Sequence, residues 1–355
     1  MTDFTKNPRP FYPRLSSASR EIRLLHLQPG QGTEEADELQ TECRLSVVSL
    51  DSNPSYEALS YRWGSRTSTV LVDGHEVVVP ENLDEALRRF RLDGRERVLW
   101  ADAVCIDQSQ VAERNAQVAL MADIYKTCER CLVWMGNTHL FDRSDGDSSG
   151  LGVGSLHELL AALSKKHHLD QPDAPPIATM FGVTRIPLMY LNMAPWWQRI
   201  WVVQEVVLAP QSLVLCGCMD HIKITFLWAD LLELRDLLYH LLEVARLPGR
   251  SGAVPSTPAT GQTCTDFLDV LLSVRHRECA DHRDKIFGIL SLVQDWGSWA
   301  PVTADYSKDA RQVFTEVAVQ MLQHEHGPRT LLFARGANPT AWAPHNLPTW
   351  VPDWT

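Results

Sequence analysis

The segment "APWWQRIWVVQEVVLA", Ala194 to Ala209, carries one carboxylate, Glu205, among residues that are apolar on nearly every side. Read at 100° per residue as a helix over Trp196–Ala209, it has the pattern of an element buried on most faces. Glu205 and Gln198 share one narrow stripe of that helix, and Trp201 lies one turn before Glu205 on its flank. An ionised carboxylate in such a place is costly unless it is paired or hydrogen-bonded. Two readings are open. In one, Glu205 is a structural acid held by Arg199, Arg114 or backbone donors; in the other, its stripe faces a ligand cleft at a sheet edge.

Two further clusters close strand-like runs. "YEALSYRWG" ends in Tyr61, Arg62, Trp63 and Gly64. "LWADAVCIDQ" ends in Asp102, Cys105, Asp107 and Gln108, and the helix that follows adds Glu113, Arg114 and Gln117. In an open parallel sheet, ligands bind beyond the carboxyl ends of the strands, where such groups collect. Each residue also has a plainer reading. Tyr61 and Trp63 suit a core, Asp102 and Asp107 suit helix caps, and Arg114 and Gln117 suit a solvated helix face. Cys105 has no histidine near it in sequence and is not read as a nucleophile.

The elements that must position these groups alternate. "EIRLLHLQPG", "ECRLSVVSL" (Glu42 to Leu50) and "YEALSYRWG" read as strands, and "TVLVDGHEVVVP" as a hairpin turning at Asp73-Gly74. "ENLDEALRRFRL" puts Leu83, Ala86, Leu87 and Phe90 on one helical face behind Asn82 as a cap. "RVLWADAV" is a short strand, Ser109 a cap for the long helix "QVAERNAQVALMADIYKTC", and "RCLVWMG" a buried strand. Strand–helix alternation of this kind predicts an α/β fold with a largely parallel sheet.

Helices are further expected over Leu156–Lys166, Phe226–Arg246, Thr265–Arg275, His282–Val293 and Lys308–His324, with "TLLFA" as a strand. "LPGRSGAVPSTPATGQ" (247–262) has the composition of a flexible linker. The organisation expected is an arm over 1–20, an α/β unit over 21–246, the linker, and a mostly helical extension over 263–355. The end on "WVPDWT" is abrupt and suggests a truncated or minimal member of something longer.

Bulk properties narrow the class. The 355 residues are 45% hydrophobic and 22% charged, with a net charge of −11. Broad nucleic-acid binding needs a basic surface and is disfavoured. The N-terminus has no apolar signal region, and no run approaches the ~20 apolar residues of a membrane span. Eight irregularly spaced cysteines then read as reduced thiols in a cytoplasmic protein. "CERC" (Cys128, Cys131) and "CGC" (Cys216, Cys218) are poor zinc half-sites, so no metal is expected. The G-x-G-x-G within "DGDSSGLGVGS" lacks a following Gly-Lys-Ser/Thr and reads as a surface loop. His167, His168, His324 and His326 read as exposed.

Taken together, "YEALSYRWG", "LWADAVCIDQSQVAERNAQVALMADIYKTCERCLVWMG" and "PWWQRIWVVQEVVLA" resemble, in order and spacing, the three signature blocks of the fungal heterokaryon-incompatibility (HET) domain. "DHRDKIFGILSLV", "DYSKDARQVFTEVAV" and "LPTWVPDW" resemble segments that commonly follow it. Asp107 stands where the family usually has asparagine, and Ala101 where a branched residue is more usual. The resemblance implies a role in fungal non-self recognition and programmed cell death, with self-association or another incompatibility protein as activator.

A more distant likeness is to TIR domains, which are flavodoxin-like and some of which cleave NAD+. Ser60-Tyr61 is similar to the "SY" that ends their first strand, and Glu205 follows Trp201 by four residues as their catalytic glutamate follows a tryptophan. That likeness implies a catalytic Glu205 with NAD+ as substrate and no required cofactor. Tyr61 and Trp63 would stack on a ring, Arg62, Arg114 or Arg199 would meet the pyrophosphate, and Gly64, Asp102, Asp107, Gln108, Gln117 and Trp201 would complete the cleft. The alternatives are a non-enzymatic interaction module, in which Glu205 is structural, and a nucleotide-binding regulator without turnover.

Overall fold

The computed structural model describes residues 9, 11–30, 40–137, 194–217, 223–227, 266–293, 296, 300–323, 327–334 and 346–355. The glycine-rich loop, the linker, the 156–166 helix and residues 228–246 of the next helix lie outside them.

Among the described residues, nine strands form one sheet: β1 (Glu21–Leu27), β2 (Glu42–Ser49), β3 (Glu57–Tyr61), β4 (Thr67–Val72), β5 (His75–Pro80), β6 (Arg97–Trp100), β7 (Cys131–Asn137), β8 (Ser212–Gly217) and β9 (Lys223–Leu227). Their spatial order is β5-β4-β2-β1-β6-β3-β7-β8-β9. The architecture is α/β as expected, but the sheet is mixed rather than largely parallel. Pairs β6–β3, β3–β7, β7–β8 and β2–β4 are parallel; β1–β2, β1–β6, β4–β5 and β8–β9 are antiparallel. A two-residue turn can only send the chain back, whereas a parallel partner needs a crossover. The β4–β5 turn is such a case, with Asp73 at φ 49° and Gly74 at φ 76°. The run at Phe226 also differs from expectation, since Phe226 and Leu227 close β9 instead of opening a helix.

The parallel block β6-β3-β7-β8 positions the site. Its strands follow one another along the chain in the order β3, β6, β7, β8, so the chain adds β6 on one side of β3 and β7 on the other. Helix α1 (Glu81–Phe90) belongs to the first crossover, and α2 (Asp102–Cys105) and α3 (Val111–Thr127) to the second. Helix α4 (Trp201–Leu208) precedes β8. Register places Tyr61 beside Trp134 and Ser60 beside Val133. Phe90 of α1 meets Trp134 edge-on at 6.4 Å, and Tyr125 of α3 meets Trp100, the register neighbour of Ala58, at 5.7 Å. Alternation along the strands therefore assigns α1 to the Tyr61 face and α3 to the Ser60 face.

The caps differ from the sequence reading. Helix α1 begins after Pro80, and Asn82 lies inside it with its amide donating to the Arg62 carbonyl at 3.0 Å. Helix α3 begins after Gln110, while the Ser109 hydroxyl donates to Asp107. The buried face of α1 is the expected one, Leu83, Ala86, Leu87 and Phe90.

A second core gathers around α5 (Phe267–Val274), α6 (Asp284–Phe287) and α7 (Ala310–Gln323). It includes Ile200 from the segment before α4. The helix expected over 282–293 is interrupted: α6 ends at Gly288, and a 3-10 turn follows at Leu290–Leu292. "TLLFA" is not a strand; Gly327–Thr330 is helical and Leu331–Phe333 continues as a 3-10 turn. Only Ala334 of that run bridges to another strand-like residue among those described, Pro352, so the run lacks the neighbour a strand requires.

Gly288 is tightly packed within the second core, against the segment that precedes α4. A Cβ there would lie 2.9 Å from the Asp284 carbonyl and 3.2 Å from the Ile200 side chain. Gly288→Ala is expected to destabilise the protein by about 1–3 kcal/mol through overpacking. A urea midpoint unchanged from the native chain would show that the packing there is slack.

Candidate functional site

The carboxyl ends of β3 and β6 supply the first half of the site. Tyr61, buried on one face, donates its hydroxyl to Asp102 Oδ1 at 2.7 Å. The Trp63 indole donates to Asp102 Oδ2 at 3.0 Å, and the Ala103 amide to Oδ1 at 2.8 Å. Gln108 closes the turn by donating to the Asp102 carbonyl at 3.1 Å. Three donors on one carboxylate hold the first turn of α2 against the end of β3. Burial, with the Asp102 charge beside it, pushes the Tyr61 phenol well above its ordinary range, so Tyr61 stays a donor.

On the opposite face, Ser60 is fully buried and donates its hydroxyl to Glu205 Oε2. The Trp196 indole in turn donates to Ser60 Oγ at 3.0 Å. Glu205 is 2% exposed. Burial pushes its carboxyl up to about 7; Arg199 and the Ser60 hydrogen bond pull it back, and Asp102 adds to the rise. Near neutral pH this group is poised between its two protonation states. Its charge also raises the Tyr125 phenol and the Cys131 thiol, after burial itself, as expected of neighbours on one sheet face.

The segment that carries Glu205 is not one helix. A 3-10 turn, Pro195–Gln198, gives way to extended backbone at Arg199, and α4 starts at Trp201. The Arg199 guanidinium does not pair with Glu205. It donates to the Tyr61 carbonyl, within electrostatic reach of the acid. The break also takes Gln198 off any helical stripe shared with Glu205.

Two residues expected at the cleft are diverted to the second core. The Arg114 guanidinium lies 4.2 Å over the ring of Tyr306. The Trp201 indole hydrogen-bonds Asp284, whose carboxyl burial raises to about 6 and which also accepts from the Tyr306 hydroxyl at 2.6 Å. Gln117, buried, donates to the Glu21 carbonyl at 2.9 Å and ties α3 to β1. Asp107 accepts from the Ser109 amide and hydroxyl through one oxygen, a role open to asparagine as well. Arg62 is half-buried, with its carbonyl engaged by Asn82. Gly64 has room for a side chain and negative φ, so neither sterics nor backbone geometry demands glycine there.

Sequence spacing thus brings Ser60, Tyr61, Trp63, Asp102, Gln108, Arg199 and Glu205 to one end of the parallel block and leaves Arg114, Gln117 and Trp201 outside it. Sequence pattern marks Trp196 only through the adjacent tryptophan pair. Two hollows lie elsewhere, one of about 30 Å³ beside Phe287 and Gln320, the other an open groove of about 320 Å³ beside Cys43 and Asp73. The thiols at Cys105, Cys128 and Cys131 are buried and all raised by that burial, which makes them poor nucleophiles.

Residues 56–205 match the family described as heterokaryon incompatibility protein (HET). Over these residues the chain is similar to a HET domain. The matched region opens on Tyr56, just before β3, and closes on Glu205, so its limits are the two sides of the Ser60–Glu205 contact. Heterokaryon incompatibility protein 6, OR allele, of Neurospora crassa is 27% identical over 96% of this chain. The chain spans 58% of the length of that relative. No solved structure matches. The α5–α7 core lies beyond the matched HET region but supplies partners to two of its residues, Arg114 and Trp201.

Proposed function

We propose that this chain is an effector of fungal heterokaryon incompatibility whose HET domain promotes cell death by cleaving NAD+ at the Glu205 cluster. The observation that carries the reading is the convergence of all three signature blocks on one buried acid at the carboxyl ends of parallel strands. The block order, second strand, first, third, fourth, is that of flavodoxin-like sheets, whose ligands bind at this end. That order supports the TIR-like assignment.

In the reaction the bond between ribose C1′ and the nicotinamide nitrogen breaks, and its electron pair neutralises the ring nitrogen. Water adds at C1′ and loses a proton, giving ADP-ribose, nicotinamide and H+. Ionised Glu205 stabilises the positive charge that develops on the ribose. Tyr61 and Trp63 contribute ring surface, and Arg199 or Arg62 meets the pyrophosphate. At 2% exposure the acid is enclosed, so turnover requires a rearrangement, supplied by self-association or by another incompatibility protein in the cytoplasm.

The same burial favours a second reading, a non-enzymatic interaction module with Glu205 as a core acid. Nicotinamide release from NAD+ by concentrated, full-length protein, compared with Glu205→Gln, separates the two. Equal inertness of both proteins in every assembly state leaves the interaction module. NAD+ or ADP-ribose raising the melting temperature without turnover indicates a nucleotide-binding regulator.

A further inference from the structure

Between the 3-10 turn at Pro195–Gln198 and α4, the backbone runs extended at Arg199 and leaves its carbonyls without helical partners. All of them are met from one place, the short segment after α5. Arg277 donates through Nη1 to the Trp197 carbonyl at 2.7 Å and to the Arg199 carbonyl at 3.2 Å. The Glu278 amide donates to the Gln198 carbonyl, and the Ile200 amide donates to the Glu278 carbonyl at 3.0 Å. Arg199 and Glu278 form an isolated parallel bridge. Four consecutive residues of the break are therefore laced to two residues some 80 positions away.

Arg277 is an unusual group for this task. It is 4% exposed and, among the described residues, forms no ion pair; carbonyl oxygens meet its charge there. Burial is the sole cause that lowers its pKa, to about 10. A buried cation of this kind persists only where its geometry is well held. Lys285, also buried, supplies the holding by donating to the Arg275 carbonyl at 2.8 Å and to the Arg277 carbonyl. A second tie lies one turn into α4, where Ser291 donates to Gln204 Oε1 at 2.5 Å.

We infer that Arg277, outside the matched HET region, is a positioning residue for the Glu205 site. By fixing the carbonyls on both sides of Gln198–Arg199, it sets where α4 begins and in which direction it runs. That start point determines two contacts at once: Arg199 on the Tyr61 carbonyl, and Glu205 opposite Ser60 four residues after Trp201. The HET signature blocks are thus completed by the helical core that follows them. The inference rests on the reading of Glu205 as the reacting acid.

The test uses the full-length chain and two variants. Arg277→Met keeps the aliphatic volume and removes every donor; Arg277→Lys retains a charge that reaches one carbonyl. Hydrogen exchange is followed in peptides covering 200–208, 267–274 and 310–323. The Glu205 carboxyl titration is followed by carbon NMR, its signal assigned by its loss in Glu205→Gln. In Arg277→Met, amides of 200–205 are expected to exchange at least tenfold faster while 310–323 keeps its protection. The Glu205 midpoint is expected to fall toward the ordinary carboxylate range as water reaches it, with Arg277→Lys in between. Nicotinamide release should fall in the same order.

Unchanged exchange at 200–205 together with an unchanged Glu205 midpoint, whatever happens to the melting temperature, overturns the inference and makes Arg277 a staple of the second core only. If Arg277→Met does not fold, Arg277→Lys decides by the same two readouts. A native chain that releases no nicotinamide removes the catalytic reading of Glu205, while exchange and titration still decide whether Arg277 positions it.

Discussion

At pH 8, a Glu205→Gln protein is expected to be more stable than the native chain and to release nicotinamide roughly 10²–10³-fold more slowly. The stability half follows from linkage. Burial raises the Glu205 carboxyl from its usual 4.5 to about 7 in the folded chain. Between those values the folded state keeps a proton that the unfolded state has lost. The favourable contribution is therefore complete below about pH 4.5 and declines as the pH climbs to about 7. A shift of this size corresponds to about 3 kcal/mol at high pH. Glutamine does not titrate and still accepts the Ser60 hydroxyl, so it escapes the decline.

Urea melts of both proteins from pH 4 to pH 8 measure the effect as a difference that opens across that window. Asp284, raised in the same direction, contributes equally to both and cancels. Parallel curves would mean that the carboxylate is solvated in the folded protein. The activity half separates chemistry from architecture, because a variant that is folded, more stable and inert has lost the carboxylate and little else.

Arg23→Met is expected to cost about 3–5 kcal/mol, the scale for breaking a buried pair and stranding its partner. Arg23 is 1% exposed, on β1. Its guanidinium forks onto Glu113 at 2.5 and 2.9 Å, and it also donates to the carbonyls of Pro13 and Cys105. It packs 4.8 Å from the Tyr12 ring. One side chain thereby joins the N-terminal arm, β1, the end of α2 and the first turn of α3. Glu113 passes the support on by accepting the Asp107 amide at 2.7 Å. Methionine fills the volume but leaves an acid and two carbonyls without their donor. Equilibrium unfolding in urea reads the cost. A loss below about 1 kcal/mol would place the pair in the class of surface bridges.

Local pattern was sufficient for much of the sheet. β1, β2, β3, β6 and β7 fall on the runs of apolar and β-branched residues that mark them, and the Asp73-Gly74 turn follows from the positive φ it needs. α1, α3, α5 and α7 likewise follow their periodicities. The three blocks also pointed to the residues that meet at the carboxyl ends of β3 and β6. Arg23 and Arg277 could not be found in this way, because a charged residue in a strand or after a helix looks the same whether water or protein surrounds it.

The sequence by itself determined most strands and helices from β1 to β7, that Glu205 lies in an apolar setting, and that three blocks resemble those of HET domains. Only the tertiary structure decided what each polar side chain meets. Trp196–Ala209 reads as one helix because apolar periodicity runs through it. It breaks at Arg199, where the Arg277 guanidinium and the Glu278 amide, some 80 residues on, meet the freed carbonyls. Arg114 and Trp201 sit at helical spacings that suit the cleft, yet Tyr306 and Asp284 claim them from the second core. Periodicity reports which face of an element avoids water. It carries no information about which neighbour covers that face, since that choice is made by contacts between residues far apart in the chain.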